Sequence, residues 1–217
     1  MEIMPMNYND ARKKLIDKLA REISDPQVLY GMELVPRHRF VPRPSLGMAY
    51  MDIPLPIGEG QTISQPYIVA LMTQELELTG TEKVLELGTG CGYQTAILAE
   101  LAKKVITVER LSDLSEKACT VFNELGYTNI EAHIVGDKLG WPDDAPYDAI
   151  MVTAGAPSVP QELVDQLATG GRMIIPIGTR VAQDLRKITK TKDEIIIKNL
   201  GGCRFVPLIG QSAWDSD

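Results

Sequence analysis

The chain has 217 residues, 44% hydrophobic and 24% charged, with a formal net charge of −7 and a pI near 5.0. These values predict one globular domain, residues 1–217, with a sizeable core, and they argue against duplex DNA or bulk RNA as a partner. Cys91, Cys119 and Cys203 are widely spaced with no C-x-x-C, His38 and His133 are the only histidines, and no signal peptide or membrane-length apolar run is present, so we expect a cytoplasmic protein with neither metal centre nor membrane partner.

Residues 1–6 read as a loose tail. Asn9 or Asp10 is placed to cap a helix in which Leu15, Leu19 and Ile23 recur every four residues. Asp25-Pro26 ends it, and a short apolar piece runs from Val28 to Val35. The stretch Pro36 to Pro44 is too proline-rich for a helix or a central strand. His38, between Arg37 and Arg39, reads as a surface loop histidine rather than a catalytic one. Tyr50 to Gly60 is an irregular loop. Ser64 is a good N-cap for the next helix, where Pro66 is tolerated and Ile68, Leu71, Met72 and Leu76 keep the helical period. A helix start carries unpaired N–H groups and the positive end of the dipole. Ser64 therefore either caps its own helix, the commoner role, or stands at a site for an anion such as a carboxylate.

Gly80 closes that helix. Val84, Leu85 and Leu87 then form a buried strand that ends in Gly88, Gly90 and Gly92, and Tyr93, Ile97 and Leu101 resume a helical face. Strand, glycine turn and helix are the nucleotide-binding opening of an α/β sheet. The dinucleotide fingerprint G-x-G-x-x-G/A fits poorly, because Tyr93 stands at its third glycine counted from Gly88. The pattern is E-x-G-x-G-x-G, with Glu86 inside the strand. A carboxylate there would repel phosphate and suit a cationic ligand without one. S-adenosylmethionine (SAM) has an ammonium, a sulfonium and a neutral adenosine. Glu109 ends the next apolar run, about 20 residues on, where an acid accepts hydrogen bonds from ribose hydroxyls.

Ser112 is placed to cap a helix with Leu114, Ala118, Val121, Phe122 and Leu125 on one face, and Gly126 stops it. Asn129 to Val135 reads as a strand ending in Gly136-Asp137. Asp137 either accepts from the adenine amino group or is an ordinary turn residue. Tyr147 to Thr153 is the next strand, followed by small residues, a short helix and a buried strand over Arg172 to Gly178. Asp184 to Lys190 and Glu194 to Leu200 alternate as half-exposed antiparallel strands do, and Cys203 to Ile209 reads as a last strand. The expected fold is α/β and Rossmann-like, as in SAM-dependent methyltransferases. Its mostly parallel central sheet has helices on both faces and an antiparallel C-terminal end. We expect residues 1–60 to be a helical and loop extension covering the site, 61–178 the SAM-binding core and 179–217 the antiparallel strands.

The chain resembles the protein-L-isoaspartate O-methyltransferases of bacteria and archaea from about the first helix to the last strand. The most specific piece is M-D-I-P-L-P-I-G-E-G-Q-T-I-S-Q-P-Y at 51–67. V-L-E-L-G-T-G-C-G-Y-Q-T-A at 84–96, Y-D-A-I-M-V-T-A-G-A-P at 147–157, G-G-R-M-I-I-P-I-G at 170–178 and F-V-P-L-I-G at 205–210 resemble the family too. Lys138 departs from it, since a second glycine usually follows the aspartate; the stretch after Gly210 also varies. The resemblance implies methyl transfer from SAM to the α-carboxylate of L-isoaspartyl residues in damaged proteins and peptides, leaving S-adenosyl-L-homocysteine. The ester then collapses to a succinimide. It implies Ser64 as the catalytic residue. It places cofactor binding on Thr62, Ile63 and Ser64, on Glu86, Gly88, Gly90 and Gly92, and on Glu109, Gly136 and Asp137. A monomer is expected, with no nucleic-acid partner. The alternatives are a SAM methyltransferase acting on a small molecule or RNA, and a non-catalytic module that keeps the SAM pocket.

Overall fold

The computed structural model describes residues 7–215. Two N-terminal helices, α1 (Tyr8–Leu19) and α2 (Pro26–Leu34), lead through 3₁₀ turns to a small hairpin of β1 (Leu55–Gly58) and β2 (Gln61–Ile63). The α/β part follows: α3 (Pro66–Glu75), β3 (Lys83–Leu87), α4 (Tyr93–Leu101), β4 (Lys104–Glu109), α5 (Ser112–Leu125), β5 (Ile130–Ile134), β6 (Tyr147–Val152), α6 (Gln161–Gln166) and β7 (Leu167–Gly178). The chain ends with β8 (Gln183–Lys190) and β9 (Ile195–Cys203).

The main sheet has the order β5-β4-β3-β6-β7-β8-β9. Strands β5 through β7 run parallel, and β8 and β9 are added antiparallel. The chain first builds outward from β3 to β5, then crosses back to lay β6 on the other side of β3. Strand order therefore reverses at β3, and ligands bind at such a point, beyond the carboxyl ends of the strands.

Central strands buried on both faces read as continuous apolar runs, as Val84-Leu85 and Ala149-Ile150-Met151-Val152 do. Val84, Val105, Met151 and Ile174 pack against Met72 and Leu76 of α3 and Leu98 of α4. Leu85, Ile106, Ile150 and Met173 face the other way, onto Leu163 and Val164 of α6. Helix α5 joins α4 through Ala118 and Phe122, in a cluster that also takes Leu15, Leu19 and Met32 of α1 and α2. The helices thus cover both faces, and the N-terminal segment is fastened to one of them.

Several local expectations need correction. Asn7, not Asn9 or Asp10, caps α1; its side chain accepts from the N–H groups of those two residues. Helix α1 ends at Leu19, and Asp25 begins α2 by accepting from the Gln27 N–H at 2.9 Å. Ser64 does not cap α3: the N-cap position is Gln65, without a side-chain bond, and the Tyr67 N–H is taken by Asp52 Oδ1 at 2.9 Å. Ser112 lies inside α5, whose N-cap is Leu111. The strand expected over Cys203 to Ile209 is absent, because β9 ends at Cys203. Beyond it the chain leaves the sheet edge and forms only isolated bridges, Pro207 to Gly155 and Ile209 to Trp214. The expected tail, residues 1–6, lies outside the described residues.

Candidate functional site

Three glycines turn the chain between β3 and α4. Gly88 has φ +94° and Gly92 φ +90°, a region where side chains are strained. Space excludes them as well. A Cβ on Gly88 would lie 2.4 Å from Thr153 Oγ1, and one on Gly92 2.5 Å from the Phe122 ring. The Thr153 hydroxyl sits there to donate to the carbonyls of Leu87 and Gly88, at 2.9 and 2.8 Å.

Four amides of the turn are already occupied. Gly88 and Thr89 donate to the Val108 carbonyl, Gly92 donates to the Thr89 carbonyl, and Gly90 donates to Glu109 Oε2 at 2.9 Å. A diphosphate binder presents such N–H groups to its ligand; here they are spent on the protein. The turn is therefore a bare cradle suited to a ligand without phosphates.

Glu109 ends β4 and is 9% exposed. Besides Gly90, it accepts from the N–H groups of Arg110 and Leu111 at 2.8 and 3.0 Å. A carboxylate has about four lone-pair sites. Three are engaged, so Glu109 is held rigidly with capacity left toward the cleft it lines.

Glu86 takes a different role from the one its position suggests. It is fully buried, and its Oε2 accepts from the hydroxyls of Thr95 and Thr107. Thr107 in turn hydrogen-bonds the Thr89 hydroxyl at 2.7 Å. Burial pushes the Glu86 carboxyl up to about 8, against the pull of the two threonines. At neutral pH it is an uncharged acid that ties β3, β4 and α4 together beneath the glycine turn. It offers a ligand no charge.

Three adjoining cavities open at this sheet edge. The cleft over the glycines is about 230 Å³ and is lined by Thr62, Gly88, Gly90, Glu109 and Gly136, under a roof of Pro207, Leu208 and Ile209. The roof is fixed by Gly155, whose N–H donates to the Val206 carbonyl and whose carbonyl accepts from the Leu208 N–H, both at 2.8 Å. A small inner cavity of about 40 Å³ touches Ile63, Ser64, Gly88, Gly90 and Tyr93. A third cavity of about 240 Å³ touches Pro54, Ser64, Ile68 and Arg204. Thr62 and Thr153 line all three, and Ser64 lines the inner and the third one. Of the expected site residues, Thr62, Ile63, Ser64, Gly88, Gly90, Glu109 and Gly136 are brought together here. Glu86 and Gly92 lie behind the turn, and Asp137 is exposed and outside these walls.

Ser64 follows β2 and is half-buried. Its hydroxyl has no hydrogen-bond partner among the described residues, and its carbonyl accepts from Arg37 Nη2 at 3.0 Å. Arg37 is fully buried. It also donates to the Ala49 carbonyl at 2.8 Å and stands 4.8 Å over the Tyr93 ring. Burial lowers its pKa from the usual arginine value. Asp52, at the start of α3, is also paired with Lys18 at 2.8 Å. Burial pulls its pKa up, but Lys18, the Tyr67 N–H and Gln65 together bring it below the usual carboxylate range. Thr153, Arg37 and Asp52 were not expected at the site. A polar residue at a strand's carboxyl end was the available signal for Thr153. No local pattern marks the other two.

The residues present fit SAM: glycines at Gly88 and Gly90 where a ligand comes close, a fixed carboxylate at Glu109, and Gly88, Thr89, Gly90 and Gly92 amides that are spent on the protein rather than offered to phosphate. Comparison with known proteins points the same way. The sequence pattern of the protein-L-isoaspartate(D-aspartate) O-methyltransferase family matches residues 10–213. The protein-L-isoaspartate O-methyltransferase of Geobacter metallireducens is 51% identical over 215 residues, covering 98% of this chain and all of that one. That of Methanoculleus marisnigri is 54% identical over 199 residues, covering 91% and 90%. A solved protein-L-isoaspartate O-methyltransferase superposes with a TM-score of 0.85 at 28% identity, covering 93% of this chain and 67% of that one. A Plasmodium falciparum structure bearing that enzyme name, in complex with S-adenosyl-L-homocysteine, gives a TM-score of 0.77 at 29% identity, covering 90% and 96%. The chain belongs to the protein-L-isoaspartate(D-aspartate) O-methyltransferase family.

Proposed function

We propose that this protein methylates the α-carboxylate of L-isoaspartyl residues in damaged proteins and peptides, using SAM, and so starts their repair through a succinimide. The observation that carries the reading is the place of Ser64. It lines both the inner cavity beside the glycine turn and the third cavity, with its hydroxyl unspent. Relatives about 50% identical along nearly the whole chain are named for this substrate, which supports it over a small molecule or RNA.

SAM supplies an electrophilic methyl group on a sulfonium. The protein has to bring a carboxylate to it in line, largely an orientation effect. That carboxylate has a pKa of roughly 3.5–4 and is ionised at neutral pH, so no general base is needed. The Ser64 hydroxyl donates to one carboxylate oxygen and leaves the other free to attack. With the Tyr67 N–H committed to Asp52, this task falls on the hydroxyl more than on the helix start. Thr62, Gly88 and Gly90 line the cleft that would hold SAM, with Ile63 in the inner cavity beside it, and Glu109 would accept from the ribose hydroxyls. Gly136 would wall the adenine end, and Asp137, exposed beyond the walls, would accept from the adenine amino group. Glu86 and Gly92 act through the turn.

We also propose a cytoplasmic monomer that binds neither nucleic acid nor membrane. The net charge of −7 and the unpaired cysteines support this. Among the described residues no helix is long and apolar enough to cross a membrane. The test is transfer of labelled methyl to matched peptides containing isoaspartate or aspartate. We expect label in the isoaspartyl peptide alone, released as methanol; equal labelling of both, or none, would sink the reading.

A further inference from the structure

We propose that Arg204 makes the enzyme select isoaspartyl substrates that carry a second carboxylate close to the damaged residue. The inference rests on the reading of Ser64 above and adds a substrate class to it. The third cavity runs between Pro54 and the end of β9 with the segment that follows it. Its other walls include Thr62, Ser64, Ile68, Thr153 and Phe205, and among the described residues Arg204 is the only charged one lining it.

Arg204 is exposed, and its guanidinium makes no hydrogen bond or ion pair to a described residue. The backbone beside it is fixed. The Phe205 N–H donates to Gln183 Oε1 at 2.8 Å, and the Val206 carbonyl accepts from Gly155 at 2.8 Å. The root of the side chain is thus held while its head is free. A guanidinium stays charged and matches a carboxylate with two parallel hydrogen bonds. The protein as a whole carries a net charge of −7, so an acidic peptide is repelled at long range. Arg204 is the local exception, on the wall of the cavity that opens to Ser64.

The carboxylate that Arg204 binds is not the one that is methylated. The reacting group has to pass Ser64 to the inner cavity, which Arg204 does not line. Pairing it with a guanidinium would also withdraw charge from the attacking oxygen. The partner is therefore a side chain next to the isoaspartate.

The experiment measures kcat/KM on three end-blocked peptides that differ only beside the isoaspartate, where they carry Glu, Gln or Lys. Both the natural protein and Arg204→Gln are assayed. An exposed ion pair implies about a two- to fivefold preference for Glu over Gln in the natural protein, with Lys poorer still. The preference shrinks as salt screens the pair, and the Glu-to-Gln ratio collapses toward one in Arg204→Gln. Equal use of Glu and Gln by the natural protein overturns the proposal, as does a ratio that survives the substitution. If the variant loses as much on the Gln peptide as on the Glu peptide, Arg204 grips the reacting carboxylate and the proposal is likewise overturned. Absence of methylation on all three peptides overturns the parent reading and this one together. Methylation without selectivity overturns this one alone.

Discussion

Glu86 and Glu109 end or nearly end neighbouring strands, yet burial gives them opposite uses. Glu109 keeps a hydrogen-bond-accepting face on the cleft, so if it holds the ribose as proposed, Glu109→Ala removes that bond and releases the Gly90 N–H. A lost bond of this charge-assisted kind costs about 1.5–3 kcal/mol. We expect SAM affinity to fall by roughly 10- to 100-fold by calorimetry, with the fold retained. In the proposed role of Ser64, Ser64→Ala removes the donor to the substrate carboxylate and should cost about the same in kcat/KM while leaving SAM binding close to normal; unaltered turnover would remove Ser64 from the mechanism. Glu86 is read through pH. Its folded pKa is raised from 4.5 to about 8, so between those values the folded state holds a proton that the unfolded state has lost. Stability then falls as pH rises across that window and levels off above it, by about 1 kcal/mol per pH unit at most. Glu86→Gln lacks this slope. Denaturant titrations of both proteins from pH 5 to 8 should diverge in favour of the variant; parallel curves would mean that Glu86 is ionised.

At the scale of elements, the β3–α4 turn is a joint between three neighbours. Its first glycine is backed by Thr153 just past β6, its last by Phe122 on α5, and its middle amide by Glu109 on β4. No one of these contacts is local in sequence. Gly92→Ala combines a left-handed backbone with overlap against an aromatic ring. Such strain costs about 1–2 kcal/mol and overpacking about 1–3. We expect urea unfolding to show roughly 2–5 kcal/mol of destabilisation, with weaker SAM binding as a consequence. A variant as stable as the natural protein would show that the turn relaxes away from Phe122. Helix α3 makes the same point at its other end. Its start is served by Asp52, fifteen residues earlier in the chain, so one carboxylate sets the start of the helix that follows Ser64 and ties it to Lys18 of α1.

Across the whole molecule, segments from both ends of the sequence converge on the strand ends. Arg37 holds the Ser64 carbonyl from the N-terminal side, and Pro207 to Ile209 roof the cleft from the C-terminal side. A ligand in that cleft should tighten parts of the chain that are far apart in sequence. At about 100 times its dissociation constant, SAM or S-adenosyl-L-homocysteine stabilises the folded state by about 2.7 kcal/mol. For a chain of this size that raises the melting temperature by roughly 5–10 °C. NAD should give no shift, because the Gly88, Thr89, Gly90 and Gly92 amides of the turn are taken. A shift with NAD would contradict the assignment of the cradle.

The β3 motif was legible in the sequence because its information is local. An apolar run, three spaced glycines and a helical face specify strand, turn and helix without reference to anything else. The same holds for the alternating strands after Gln183 and for Glu109 at a strand end. What the sequence could not decide was which groups spend their hydrogen bonds on each other. Whether Glu86 is charged depends on how completely the packed elements bury it, against the pull of the Thr95 and Thr107 hydroxyls. Whether Ser64 caps α3 depends on Asp52 arriving first, and whether residues 204–209 form a strand depends on Gly155 drawing them across the cleft. Each outcome is a competition between partners distant in the chain, and burial, which only the packed structure sets, determines which partner wins.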